Sequence, residues 1–237
     1  MTAPSYTFPN DFIWGAATAA HQIEGNNVSS DWWAREHAPN TDLSEASNDA
    51  CDSYNRFEED IRLLAASGLR MYRFSVEWAR IEPECGCFSK AQLLHYRRMI
   101  DTCRQYGVEP MVTLYHMTLP LWFAEQGGWR RADAAERFRR YVEYVLPILH
   151  DVTWVCTLNE PNMVALTRGG TEGSDFTAAS LPYPDPEISE NLVTVHRSAR
   201  EVLAAVPTIK SGWTIACQAF HAVPGCEAEM EAYQYPR

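Results

Sequence analysis

Short apolar runs alternate along the chain with segments whose apolar residues recur every three or four positions. Five of the runs read as strands: Phe12 to Ala16, Met71 to Val76, Pro110 to Tyr115, Trp154 to Leu158 and Gly212 to Ala216. Their residues are apolar in succession, which predicts strands buried on both faces. Four helices fall between them. Tyr54, Phe57, Ile61 and Leu64 mark the inward face of the first, and Phe138, Tyr141, Val145 and Ile148 that of the third. Ser89 with Gln92, and Asp133 with Glu136, have capping-box spacing, and Gly68 and Gly107 stand where helices end on a left-handed residue.

Strands that alternate with helices build parallel βαβ units. The succession predicts an α/β fold, a (β/α)8 TIM barrel that is incomplete, with about strands 1 to 5 and four intervening helices in a single domain over residues 1–237. The segments after strands, notably Gly15 to Ser53 and Pro161 to Pro186, are much longer than those after helices. In such a barrel the loops after strands form the active face, whereas those after helices only close the structure.

Composition narrows the partners. With 46% hydrophobic and 12% aromatic residues, the 237-residue chain can bury a sizeable core. A net charge of -11 and the lack of a basic patch argue against nucleic acid or an anionic membrane surface. Met1 to Asn10 carries neither the charged nor the apolar region of a signal peptide, and no run reaches the roughly 18 apolar residues of a span, so a cytoplasmic location is expected. The seven cysteines are odd in number and lack C-x-x-C pairs, which indicates neither a disulfide framework nor a zinc site. Cys85-Gly86-Cys87 reads as a pair of reduced loop thiols, and no metal or cofactor is implied.

Polar side chains gather where the strands end: Gln22 and Glu24 beyond the first, Arg73 and Glu77 on the second, His116 after the third, Asn159 and Glu160 after the fourth. Strand ends of one barrel face one mouth, so these amide, imidazole and carboxyl groups are expected to converge there. Such groups bind hydroxyls and move protons. Three segments then carry a resemblance: Phe8-Pro-Asn-Asp-Phe-Ile-Trp-Gly-Ala-Ala-Thr-Ala-Ala-His-Gln-Ile-Glu-Gly25, Tyr72-Arg-Phe-Ser-Val-Glu-Trp-Ala-Arg-Ile-Glu-Pro83 and Thr157-Leu-Asn-Glu-Pro-Asn162. In that order they closely resemble glycoside hydrolase family 1, the β-glucosidase and β-galactosidase family. The likeness runs from about Phe8 to the end of the fifth strand.

The resemblance implies a retaining β-glycosidase for terminal β-linked glucosides or galactosides, with Glu160 as general acid/base. Asn159 would hydrogen-bond the sugar 2-hydroxyl, Gln22 and His116 would grip hydroxyls of the terminal sugar, and Arg73 would keep the nucleophilic carboxylate ionised. Protonating a glycosidic oxygen at neutral pH calls for a carboxyl group in a partly desolvated site, which Trp154, Met163 and the aromatic mouth are expected to supply. Trp33 is the tryptophan expected to wall the leaving-group site. Two departures stand out. Met117 replaces a residue that is usually aromatic in the family, so the sugar preference does not carry over.

The family nucleophile comes from a Glu-Asn-Gly sequence after strand 7, whereas this chain ends near strand 5, and its Glu190-Asn191 pair reads as a solvated helix start. The nucleophile is therefore expected from outside this chain, and the open barrel edges allow self-association. The alternative is a catalytically inactive family member that binds sugar or serves as an interaction protein.

Overall fold

The computed structural model describes residues 7–169, 184–217 and 219–234. Strands β1 (Gly15–Ala17), β2 (Met71–Ser75), β3 (Glu109–Thr113), β4 (Trp154–Asn159) and β5 (Lys210–Thr214) form one sheet, parallel throughout and ordered as in the chain. After β1 come α1 (Ala20–Ile23), α2 (Asp31–Glu36) and the long α3 (Ser53–Ala66). Between β2 and β3 lie α4 (Trp78–Ile81) and α5 (Lys90–Gln105), and between β3 and β4 lie α6 (Leu121–Glu125) and α7 (Ala134–Val145). Then α8 (Pro161–Gly169) and α9 (Pro186–Leu203) lead to β5, and α10 (Glu227–Gln234) follows it. This is the partial barrel expected, with α3, α5, α7 and α9 as the crossover helices. The segment expected to be a loop from Pro161 to Pro186 begins as α8, and its residues 170–183 lie outside the described residues.

The two outer strands differ from expectation. Phe12, Ile13 and Trp14 precede β1 and stay 45%, 52% and 52% exposed, with the rings of Phe8, Phe12 and Trp14 packed tilted or edge-to-face at 4.6 to 4.8 Å. Their apolarity reflects this surface cluster, not strand pairing. β5 starts at Lys210, two residues before the predicted Gly212, and both outer strands are largely exposed. Each has a neighbour on one side only among the described strands; burial on both faces holds for β4, whereas β2 and β3 bury one face and leave the other largely half-buried.

The core fills the space between the sheet and the long helices. α3 contributes Ile61, with Phe57 and Leu64 packed against the edge of the core, and α7 contributes Phe138, Tyr141 and Val145, all buried. Trp78 of α4 is the centre of an aromatic cluster, with Phe123, Phe138 and Tyr141 at 4.9, 5.4 and 5.3 Å. The Tyr141 hydroxyl reaches the Val76 and Leu114 carbonyls at 2.9 and 3.0 Å, pinning α7 to the ends of β2 and β3. Ser89 caps α5 by accepting from the Gln92 N–H at 3.3 Å, and Gly68 and Gly107 end their helices at φ 86 and 67. Asp133 does not cap α7: Arg131 and Arg137 hold its carboxylate at 2.6 and 2.9 Å instead. α9 is capped by Asp185, which puts Glu190-Asn191 a turn inside the helix. Glu190 is exposed as expected, but Asn191 donates to the Trp129 carbonyl at 2.8 Å.

Two acids expected at the mouth are anchors below it. Glu24, 3% exposed, accepts from Arg80 Nε at 2.9 Å and from the Tyr96 hydroxyl at 3.1 Å. Burial pushes its carboxyl up to about 7, an effect that Arg80 opposes and the nearby Glu77 reinforces. Glu77, also buried, accepts from the Thr118 hydroxyl at 2.7 Å and the Ala79 N–H at 3.2 Å.

Truncating Phe138→Ala should cost about 3–5 kcal/mol in urea unfolding, whereas Leu63→Ala at the exposed face of α3 should stay within about 0.5 kcal/mol. Glu24 makes a second prediction. Its folded value of about 7 lies above the ordinary 4.5, so its neutral form stabilises the fold fully below 4.5, and that contribution is lost as pH rises through about 7. Relative to Glu24→Gln, the wild-type chain should lose on the order of 3 kcal/mol of unfolding free energy across this window. Parallel pH profiles of the two proteins would show instead that Glu24 titrates normally.

Candidate active site

Parallel strands in chain order all point their C-terminal ends the same way, and the polar residues singled out from the sequence sit at those ends. Gln22 is carried by α1, which is docked on β2 through Ala20 N–H to the Ser75 hydroxyl at 2.7 Å and Thr18 N–H to the Arg73 carbonyl at 2.9 Å. His116 follows β3, half-buried. Both line one cavity of about 550 Å³, together with Trp32 and Met117 and a wall formed by Glu36 and Ser47. Burial first, and the Arg73 charge second, push His116 down to about 4, so its ring is neutral around pH 7. Its buried Nδ1 has no hydrogen-bond partner among the described residues. A buried ring nitrogen left unpaired beside a cavity suits a ligand that donates or accepts there.

A second group is bonded directly. Arg73, on β2, reaches across β3: its Nη1 donates to Asn159 Oδ1 at 2.9 Å and to Thr113 Oγ1 at 3.3 Å. Thr214 at the end of β5 donates to the same Asn159 oxygen at 3.0 Å. Asn159 is 2% exposed, and with its oxygen engaged twice its amide NH2 is the group left for a ligand. The pairing of β4 with β5 shifts register between Cys156 and Asn159, an irregularity of the kind that re-aims side chains at strand ends.

Glu160 follows at φ 51, a left-handed conformation that a side-chain-bearing residue adopts at a cost of about 1–2 kcal/mol. Its N–H donates to the Thr214 carbonyl at 3.0 Å. Asn162 ties the next segment down with paired bonds to Ala216 at 2.8 and 3.2 Å. The turn from β4 into α8 thus holds Glu160, half-buried, beside Asn159.

The structure therefore joins Gln22 with His116 in one cavity and Arg73 with Asn159 by a hydrogen bond, and Arg73 acts electrostatically on His116. Glu160 does not line the cavity that holds Gln22 and His116. The expected aromatic walls differ. Trp33 stacks on His37 at 4.1 Å, and its neighbour Trp32 lines the cavity. Trp154 opens β4, roughly 16 Å along the strand from its far end, under the Lys210 ammonium, and cannot shield Glu160. Met163 is half-buried on the first turn of α8. Thr113, Thr214, Trp32 and the Glu36 carboxylate, which is bound to His21 at 2.9 Å and Ser47 at 2.6 Å, were not among the expected residues. The sequence signal for the threonines is a hydroxyl inside each of two runs expected to be strands, Pro110 to Tyr115 and Gly212 to Ala216.

Comparison with known proteins fits this geometry. The family description "Glycosyl hydrolase family 1" matches residues 4–211. "Beta-glucosidase A" of Acetivibrio thermocellus is 38% identical over 202 residues, which are 81% of this chain and 45% of that protein. The β-glycosidase BGL167 superposes with a TM-score of 0.86 at 40% identity, covering 97% of this chain and 61% of the other. A β-glucosidase from Thermotoga maritima, in complex with glucoimidazole, gives 0.85 at 32% identity over 96% of this chain and 54% of its own. The chain spans about half the length of the curated relatives it matches. With a match over most of its length and the same strand-and-helix succession, the chain belongs to glycosyl hydrolase family 1.

Proposed function

We propose that the chain carries the acid/base half of a retaining β-glycosidase acting on terminal β-linked glucosides or galactosides. The observation that carries this reading is the bond from Arg73 to Asn159, which fixes the amide next to Glu160 at the centre of the strand ends. Glu160 protonates the glycosidic oxygen as the bond to the anomeric carbon breaks. Asn159 offers its free NH2 to the 2-hydroxyl, while Gln22 and the neutral His116 hold hydroxyls further round the ring. Retention needs a second carboxylate roughly 5 to 5.5 Å from the first, on the other face of the sugar. That group, from outside this chain and kept ionised by the Arg73 guanidinium, bonds to the anomeric carbon as the protonated oxygen leaves. Glu160 then acts as base on the water that releases the sugar.

A second reading, sugar binding without catalysis, is favoured by one fact. Arg73 forms no ion pair among the described residues, so the carboxylate that it would serve is not supplied by them.

An aryl β-glucoside, offered to the chain together with the segment that supplies the second carboxylate, separates the two. Turnover that drops by about 10²–10⁴-fold in Glu160→Gln supports the enzyme. Binding without turnover in both proteins supports the second reading, and neither binding nor turnover contradicts both. Because His116 must stay neutral to accept as well as donate, affinity for the glucoside should be constant down to about pH 5 and weaken as pH falls through about 4. A midpoint near 6.5, the ordinary histidine value, would mean that His116 is solvated.

A further inference from the structure

Besides Glu160, a second residue near the cavity is held in a left-handed conformation: Met117, at φ 69. The Thr118 N–H donates to the His116 carbonyl across it at 2.9 Å, which closes a γ-turn with a positive central φ, a rare and strained form. Strain of this kind costs of order 1–3 kcal/mol and persists only where the surroundings over-determine it. Here they do. On one side the Thr118 hydroxyl is bonded to the buried Glu77 carboxylate at 2.7 Å. On the other, Arg168 of α8 donates through Nη2 to the Met117 carbonyl and pairs through Nη1 with Asp31 at 2.7 Å.

Asp31 completes the clamp. Its carboxylate accepts from the Leu119 N–H at 2.8 Å, and its own N–H donates to the Leu119 carbonyl at 2.9 Å. Segments that follow β1, β3 and β4 are in this way drawn onto one turn. The Arg168 and Asp31 side chains keep only 23% and 13% of their exposure, so each needs the other as a charge partner. The guanidinium fork serves Asp31 and the Met117 carbonyl at once, which a single ammonium does not reproduce. The residue that enters the turn is His116, whose ring lines the cavity with an unpartnered nitrogen.

We infer that Arg168 is a positioning residue: by gripping the Met117 carbonyl it keeps the strained turn closed and aims the His116 imidazole into the cavity. The consequence for sugar binding rests on the glycosidase reading proposed above. The turn itself is tested without sugar.

Imidazole NMR, with His116 assigned by its loss in His116→Gln, gives the readout. In the wild type the ring should titrate at about 4, with Arg73 as the facing charge. In Arg168→Ala the turn opens, water reaches the ring, and the midpoint should rise by about one unit or more toward 6.5. Arg168→Lys should move it the same way, and it carries the test if the alanine variant does not fold. Met117→Gly/Arg168→Ala should return the midpoint to the wild-type position, because glycine adopts a positive φ without a clamp. An unchanged midpoint in the folded single variants, or one that stays raised in the double variant, would overturn the inference. Affinity for an aryl β-glucoside should fall about tenfold in Arg168→Ala and recover in the double variant. Absence of binding by the wild type would end the sugar reading, while the titrations would still decide the role of Arg168.

Discussion

The Arg73 guanidinium spans two strand spacings to reach Asn159, passing Thr113 on the strand between. That span is possible because β2, β3 and β4 run parallel, so that their C-terminal ends share one rim of the sheet; Arg73 is paired with Met111 and Met111 with Trp154, and the guanidinium reaches along the strands as well as across them. The bond joins a cation to an amide, and Thr214 adds a second donor to the same oxygen. Asn159 is thereby fixed in orientation, and the chain direction into Glu160 is fixed with it. Remove the parallel register and the polar groups of four strand ends have no common neighbour.

The same arrangement divides labour among the charged groups. Glu24 and Glu77 are buried beneath the mouth, where desolvation raises both, and they hold Arg80, Tyr96 and Thr118 in place. Arg73 and Glu160 remain at the mouth, half-buried and less fully satisfied. Two of the six non-glycine residues at positive φ among the described residues, Met117 and Glu160, stand there, on segments that directly follow strands. Strain at a strand end beside an unpartnered histidine nitrogen accords with the proposed sugar site.

Much of the fold was legible because it rests on periodicity. The apolar runs of β2, β3 and β4, the inward stripes of α3 and α7, and the helix-ending Gly68 and Gly107 all follow from local patterns. The first strand was misplaced because Phe12 and Trp14 imitate a buried run while packing on one another at the surface. Asp133 shows a similar limit: its spacing to Glu136 fits a cap, but two arginines compete for its carboxylate and win. At the site, strand ends could be read off the sequence, and the structure groups Gln22 with His116 in one cavity and Arg73 with Asn159 by a hydrogen bond. What could not be read is which way each side chain turns. Glu24 and Glu77 turn inward, Trp32 replaces Trp33 on the cavity wall, and Thr214 enters through a register shift that no local pattern announces.

The proposed function requires a single site built from the ends of β1 to β4. A crystal structure of the protein grown with a glucose-like imidazole tests this most directly. The account predicts a pyranose ring hydrogen-bonded by Gln22, His116 and the Asn159 amide, with the Glu160 carboxyl within reach of the atom in the glycosidic position. A ring bound elsewhere, or bound at this face with Glu160 turned away into solvent, would contradict it.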